Sequence, residues 1–270
     1  MIKIAVCQIK TTTDWEETMS RAETMVRDAA ANGADFAVFP EMFNCPYSRK
    51  YFHMYAEMGH ERSLARLSAW AKELGIYIVG GSIPETGDGN IYNSCFIFDR
   101  EGRQIARHRK VHLFDSQLPG LNICESATFT AGSEITVFDT EFGPMGCAIC
   151  YDIRFAELFR PMAMRGAKII FIPSQFNTVS GPGNWEMLVR CRASDQQVFT
   201  VGAEAAYSED VGYRCWGHSV VCGPLGNVIA SCDETEQVMY ADIDLDEIDR
   251  ARKSLPIYQS LRRDVYPVAE

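Results

Sequence analysis

The chain has 270 residues, 47% of them hydrophobic and 23% charged, and a formal charge of −10 at pH 7. That is ample apolar material for one large domain over residues 1–270 and not the composition of a disordered chain. The acidic balance argues against nucleic acid as a partner, and no apolar run reaches the length needed to cross a membrane.

Met1-Ile2-Lys3-Ile4 opens a strand rather than a signal peptide, and ten cysteines without framework spacing suit free thiols, so a cytoplasmic setting is expected. Ile2 to Ile9 reads as a strand. Asp14 then caps a helix whose apolar stripe is Trp15, Met19, Ala22, Met25, Val26 and Ala29, ending at Gly33. Asp35 to Phe39 is the next strand, and strand-helix-strand with short joints predicts parallel pairing. Glu41 follows directly. It is either a solvated loop residue or a base held at a strand tip, its carboxyl raised by partial desolvation. A loop with Asn44, Pro46 and Tyr47 leads to a helix over Glu61 to Leu74, closed by Gly75, and to a strand over Ile76 to Gly80. Ile91 to Asp99 and Gln104 to Arg107 form a hairpin around Asp99-Arg100-Glu101-Gly102. Lys110 lies in the basic stretch that follows, where His108 and His112 are four apart. Nothing marks that stretch as a helix, so a zinc pair is not expected, and no metal or other cofactor is assigned.

Leu118 to Thr130 has no clear period. After a strand over Ile135 to Asp139, the uncharged run Pro144 to Cys150 reads as a buried strand. Phe155, Leu158, Phe159, Met162 and Ala163 then mark a helix stopped near Gly166. Cys150 therefore stands at a strand-to-helix junction. With Asp152 as the expected N-cap, the positive helix end lies near the sulfur and favours a thiolate. Cys147 and Cys150 form C-x-x-C, but Cys147 lies inside the strand, which speaks against a redox pair. Strands over Lys168 to Pro173 and Val198 to Ala203 flank a helix over Trp185 to Gln196. Antiparallel strands follow over Ser219 to Cys222, Asn227 to Ala230 and Gln237 to Ile243.

Glu41, Lys110 and Cys150 each stand just past a predicted strand end, where parallel α/β folds build their sites. Breaking an unactivated C–N bond without metal calls for a nucleophile, a carboxylate that relays its proton, and a cation at the developing oxyanion. Cys, Glu and Lys supply those roles.

Phe39-Pro40-Glu41, His108 to Phe114 and Cys147 to Phe155 resemble, in order and spacing, the three signature blocks of the nitrilase superfamily of carbon–nitrogen hydrolases. The resemblance runs from Ile4 to about Tyr266. It implies an α/β fold, a four-layer α-β-β-α sandwich of mixed sheets with outer helices, assembled as a homodimer or higher homo-oligomer. It also implies a Glu41-Lys110-Cys150 triad, a second glutamate at Glu125 and an oxyanion contact from the Tyr151 backbone N–H. Phe43-Asn44-Cys45-Pro46-Tyr47, Phe176-Asn177 with Ser180-Gly181-Pro182, and Ala205 to Ser219 further resemble the ω-amidase branch. That branch hydrolyses the distal amide of 2-oxoglutaramate and 2-oxosuccinamate through a cysteine thioester. The resemblance places Arg154, Phe176, Ser180 and Tyr47 on the substrate. Ser180 stands where threonine is typical and keeps the hydroxyl. Arg154 has an alternative, an ion pair bracing the first helical turn. The expected partners are a small amide and water. Other readings are an amidase of the same superfamily acting on another carboxylated amide such as deaminated glutathione, and a non-catalytic binding member.

Overall fold

The first strand, β1 (Ile2–Gln8), shows the rule that builds the molecule. Its Ile4 and Val6 join the core between two sheets, whereas Ala5 and Cys7 join the core beneath the outer helices, as the two-residue period of a strand requires. In the computed structural model, residues 1–118, 121–209 and 212–267 are described. Positions 119–120 in the aperiodic stretch, 210–211 in the Ala205 to Ser219 block and the last three residues lie outside them.

Helix α1 (Trp15–Ala31) starts where expected. Asp14 Oδ1 accepts the N–H of Glu16 at 2.8 Å and of Glu17 at 3.2 Å, a cap that contributes about 1 kcal/mol. Its six stripe residues are all buried. After β2 (Phe36–Val38) come α2 (Arg49–Glu57), α3 (Glu61–Leu74) and β3 (Tyr77–Val79). Gly75 closes α3 in the left-handed region, as its position predicted. β4 (Ile83–Gly87), β5 (Asn90–Phe98) and β6 (Gln104–Arg109) follow. β1, β2 and β3 pair in parallel, and β5 continues the sheet antiparallel, carrying β3 and β4 along one edge and β6 along the other.

A hairpin of β7 (Asp115–Leu118) and β8 (Leu121–Cys124) then leads to the second sheet. That sheet contains β9 (Thr136–Thr140), β10 (Gly143–Cys147), β11 (Ile169–Ser174), β12 (Phe199–Glu204), β13 (Val220–Cys222) and β14 (Val228–Ser231) in reverse spatial order. β10, β11 and β12 are parallel, joined by α4 (Ala156–Met164) and α5 (Trp185–Gln196). β15 (Gln237–Ile243) returns to pair antiparallel with β1, and α6 (Asp246–Ser254) follows. The layers are α1 and α3, the first sheet, the second sheet, and α4 and α5. One core cluster runs from Ile2 to Ile248 between and behind the sheets. No helix among the described residues is long and apolar enough to cross a membrane.

Five elements lay outside the sequence expectations: α2, β4, β7, β8 and α6. In α2 the signal was Phe52, Tyr55 and Ala56 on one buried face, which is short for a periodic pattern. Another correction concerns the junction after β10. The strand stops at Cys147, and Cys150–Arg154 form a separate 3₁₀ turn before α4, whose N-cap is Phe155 rather than Asp152.

Candidate active site

Glu41 sits three residues past β2, wholly buried. The turn that carries it backs onto Gly81, where an added Cβ would lie 2.1 Å from Pro40 O and where φ is +58°; only glycine fits so close a backbone approach. Lys110 directly follows β6. Its N–H donates to Asn93 O at 2.8 Å and its carbonyl accepts from Gly132 N at 2.8 Å, so the main chain is clamped on both sides. Cys150 opens the 3₁₀ turn with φ of +47°. A left-handed cysteine costs on the order of 1–3 kcal/mol, and the turn is held against that cost from two directions.

The first brace is Asp152, buried beneath the turn. Its carboxylate accepts from Ile149 N at 3.0 Å, His112 N at 2.8 Å, His112 Nδ1 at 2.7 Å and His108 Nε2 at 3.2 Å. The two histidines thus converge on one carboxylate, and no group of three or more His, Cys, Asp or Glu arranged to hold a metal ion occurs among the described residues. The second brace is Arg192 of α5, which donates to Ile153 O at 2.7 Å and Arg154 O at 3.3 Å.

Burial would raise the Asp152 carboxyl, but the bonds from His108, His112 and Ile149 outweigh it and hold the group well below the ordinary carboxylate range. A depressed folded value contributes stability that is present above the unfolded value of about 3.9 and is lost as pH falls through the folded one. Asp152→Asn is therefore expected to cost about 2–3 kcal/mol at neutral pH, with the gap to the parent closing only below about pH 4. Denaturant unfolding of both proteins across pH 3–8 measures this; a gap independent of pH would mean that the carboxylate charge is not what braces the turn.

Glu41, Lys110 and Glu125 form one buried ionic group. Lys110 Nζ donates to Glu41 Oε1 at 2.7 Å and lies 2.9 Å from Glu125 Oε2. Asn93 Nδ2 also donates to Glu41 Oε1, at 2.8 Å, and Gln175 N donates to Glu41 Oε2 at 3.1 Å. Glu125 begins the 3₁₀ turn after β8 and accepts from Phe114 N at 2.6 Å and from the Tyr47 hydroxyl. Burial pulls the Lys110 ammonium down, yet Glu125 and Glu41 more than reverse this and hold it charged well above its usual range. Burial raises the Glu125 carboxyl, Lys110 opposes, and the net direction is upward.

Cys150 is also buried, and here the sequence expectation of a favoured thiolate fails. Burial pushes the thiol well up, Glu41 pushes it further, and the opposing pull of Lys110 is too small to reverse the direction. A neutral thiol with a carboxylate nearby is an arrangement suited to general-base activation rather than to a standing thiolate.

A narrow cleft of about 10 Å³ opens beside Cys150, lined among others by Tyr151, Arg154, Gln175, Phe176 and Ser180; that is room for roughly one water. Arg154 is half-buried and has no carboxylate partner among the described residues. Its guanidinium instead lies 5.7 Å from the Phe176 ring and 6.0 Å from the Tyr151 ring. The bracing ion pair considered for Arg154 is absent among the described residues. Asn177 Oδ1 accepts from Ser180 N at 2.9 Å and so turns Ser180 into the cleft. Tyr47 does not line that cleft. It packs 4.4 Å from Tyr213, centroid to centroid, its hydroxyl engages Glu125, and with Glu125 it lines a second hollow of about 590 Å³. A still larger hollow, about 670 Å³ between α5 and β13–β14, contains none of the Glu-Lys-Cys group.

Asn93, Gln175 and Glu204 were not singled out by sequence reasoning. Gln175 and Glu204 lie at the ends of the buried strands β11 and β12, a place that signals a site only when several strand ends are compared. Burial pushes the Glu204 carboxyl well up, against the opposing pull of the Phe176 N–H, which it accepts at Oε2 (2.9 Å) and Oε1 (3.2 Å).

The chain is a hydrolase of amide carbon–nitrogen bonds, built on two stacked sheets between helical layers with an acid, a cation and a thiol gathered at neighbouring strand ends. The chain belongs to the carbon–nitrogen hydrolase family, which matches it over residues 3–253. It is 44% identical over 255 residues to the omega-amidase NIT2 of Xenopus tropicalis, covering 94% of this chain and 92% of that protein. It is 40% identical over 267 residues to the omega-amidase NIT2 of Homo sapiens, covering 98% and 97%. Among solved structures, Saccharomyces cerevisiae Nit3, a member of branch 10 of the nitrilase superfamily, superposes with a TM-score of 0.89 at 36% identity, covering 97% of this chain and 96% of that one.

Proposed function

We propose that the chain is an ω-amidase, a single catalytic domain that hydrolyses the distal amide of small dicarboxylic keto acid amides such as 2-oxoglutaramate and 2-oxosuccinamate. The observation that carries the reading is Arg154, a cation without a carboxylate partner among the described residues, lining the cleft of the thiol. The likeness to proteins named omega-amidase supports it.

In this mechanism Glu41 accepts the Cys150 proton as Sγ attacks the amide carbon. Lys110 and the Tyr151 backbone N–H receive the developing oxyanion. Glu41 then gives its proton to the departing nitrogen, ammonia leaves, and a thioester remains on Cys150. A water, deprotonated by Glu41 and positioned by Glu125, attacks the thioester and releases the keto acid and the free thiol. Tyr47 holds Glu125, while Phe176 and Ser180 flank the substrate chain and Arg154 binds its carboxylate end.

Ammonia release from 2-oxoglutaramate, glutamine, asparagine, deaminated glutathione and a simple nitrile tests the substrate. Selective release from the keto acid amide is expected; release from another amide alone would replace the substrate and keep the chemistry. For Arg154→Ala, the preference for a carboxylated amide over an uncharged one is expected to fall about 100-fold, chiefly through KM, as loss of a charge-assisted bond predicts. An unchanged preference would return Arg154 to a structural role.

A further inference from the structure

Gln175 is held on nearly every side. It is 2% exposed. Its N–H donates to Glu41 Oε2 at 3.1 Å, its Nε2 donates to Glu41 O at 2.8 Å, and its carbonyl accepts from the Tyr213 hydroxyl at 2.8 Å. One polar atom is left over: Oε1, buried and without a hydrogen-bond partner. Turning the amide over would not relieve it, because Oε1 would then face Glu41 O, acceptor against acceptor. An acceptor withdrawn from water with no donor is unfavourable and usually has an occupant in the working state. Asn44, Asn93, Gln196 and Gln197 also have an unpaired buried oxygen, but none of them lines the cleft beside Cys150, whereas Gln175 does.

The reaction brings donors to that place. A primary carboxamide has two N–H bonds, and the nitrogen gains a third as Glu41 protonates it. Glu41 and Lys110 serve the proton and the oxygen; neither accepts the hydrogens that stay on nitrogen. We propose that Gln175 Oε1 accepts an N–H of the scissile carboxamide, keeps that bond through departure of ammonia, and so selects an –NH2 leaving group over an alkoxide. This rests on the amidase reading above but not on which acid bears the amide. An ester presents an oxygen with no hydrogen to Oε1 and leaves it unpaired, the situation in which buried polar groups discriminate most strongly.

The test compares kcat/KM for a primary amide and its matched methyl ester in the parent, Gln175→Met and Gln175→Ala, using whichever amide the ammonia assay finds turned over fastest. A different best amide would therefore overturn the keto acid reading without touching this one. The amide-to-ester ratio is expected to fall about tenfold in both variants, as loss of one hydrogen bond predicts. If Gln175 only braces Glu41, both substrates lose turnover in parallel and the ratio stays, which overturns the proposal. Should both variants fail to fold, binding to Cys150→Ala protein decides. There the amide is expected to bind about tenfold more tightly than a matched methyl ketone without N–H groups, and equal affinities would overturn the proposal.

Discussion

Cys150→Ala is expected to lower turnover by at least about 10⁴-fold, the scale seen when a nucleophile is removed from a group that acts as a unit, while the fold persists. Both halves follow from the position of the residue. The turn is fixed by Asp152 beneath it and Arg192 behind it, and neither contact uses the Cys150 side chain. Alanine meets the φ of +47° with much the same strain as cysteine, so the change removes little beyond one buried sulfur. A melting temperature within a few degrees of the parent, with ammonia release at background, is the expected pair of results. Near-parent turnover in a folded protein would remove Cys150 from the chemistry. A collapsed melting temperature would make the thiol a packing element.

Lys110→Met is the second large effect, and it differs in kind because it strikes stability as well. Lys110 is fully buried between two carboxylates. Breaking a buried ionic group by deleting one partner typically costs about 3–5 kcal/mol, because the remaining charge has neither water nor a counter-ion. In a chain of this size that lowers the melting temperature by roughly 10 °C. The pH dependence has a definite sign. The raised folded value of Lys110 means its contribution is complete at neutral pH and lost only as pH rises through that value. In the variant, Glu125 loses the strongest influence pulling its carboxyl down, so the deficit should shrink as pH falls towards about 4 and the acid takes up a proton. Adding Glu125→Gln should recover part of the stability at neutral pH without restoring turnover. Thermal melts of the single and double variants at pH 7 and pH 4.5 measure all of this. A deficit that grew on acidification would contradict the arrangement.

The parts of the site that were legible in the sequence share a cause. Glu41, Lys110 and Cys150 each follow a run whose apolar character marks it as a buried strand, so the strand ends could be placed and the polar residue beyond each one noticed. The parallel units were legible for the same reason, and α3, α5 and β15 fall on the expected residues. What stayed hidden depends on contacts between residues distant in the chain. Asp152 looked like a helix cap because local pattern offers it that role, yet its carboxylate serves His108 and His112, some forty residues earlier. The state of the Cys150 thiol was misjudged for a related reason. The helix-end argument is local, whereas the burial and the nearby Glu41 that outweigh it come from the packing of two sheets. Gln175 and Asn93 are ordinary amides in sequence, and only the closure of β5 and β11 around Glu41 turns them into its hydrogen-bond partners.

The covalent intermediate is tested most directly by a rapid acid quench of enzyme turning over 2-oxoglutaramate, followed by peptide mass analysis. An oxoglutaryl thioester is expected on the peptide containing Cys150, released by hydroxylamine and absent from Cys150→Ala. Ammonia released through the first turnover with Cys150 unmodified, or an acyl group found on another residue, would contradict it.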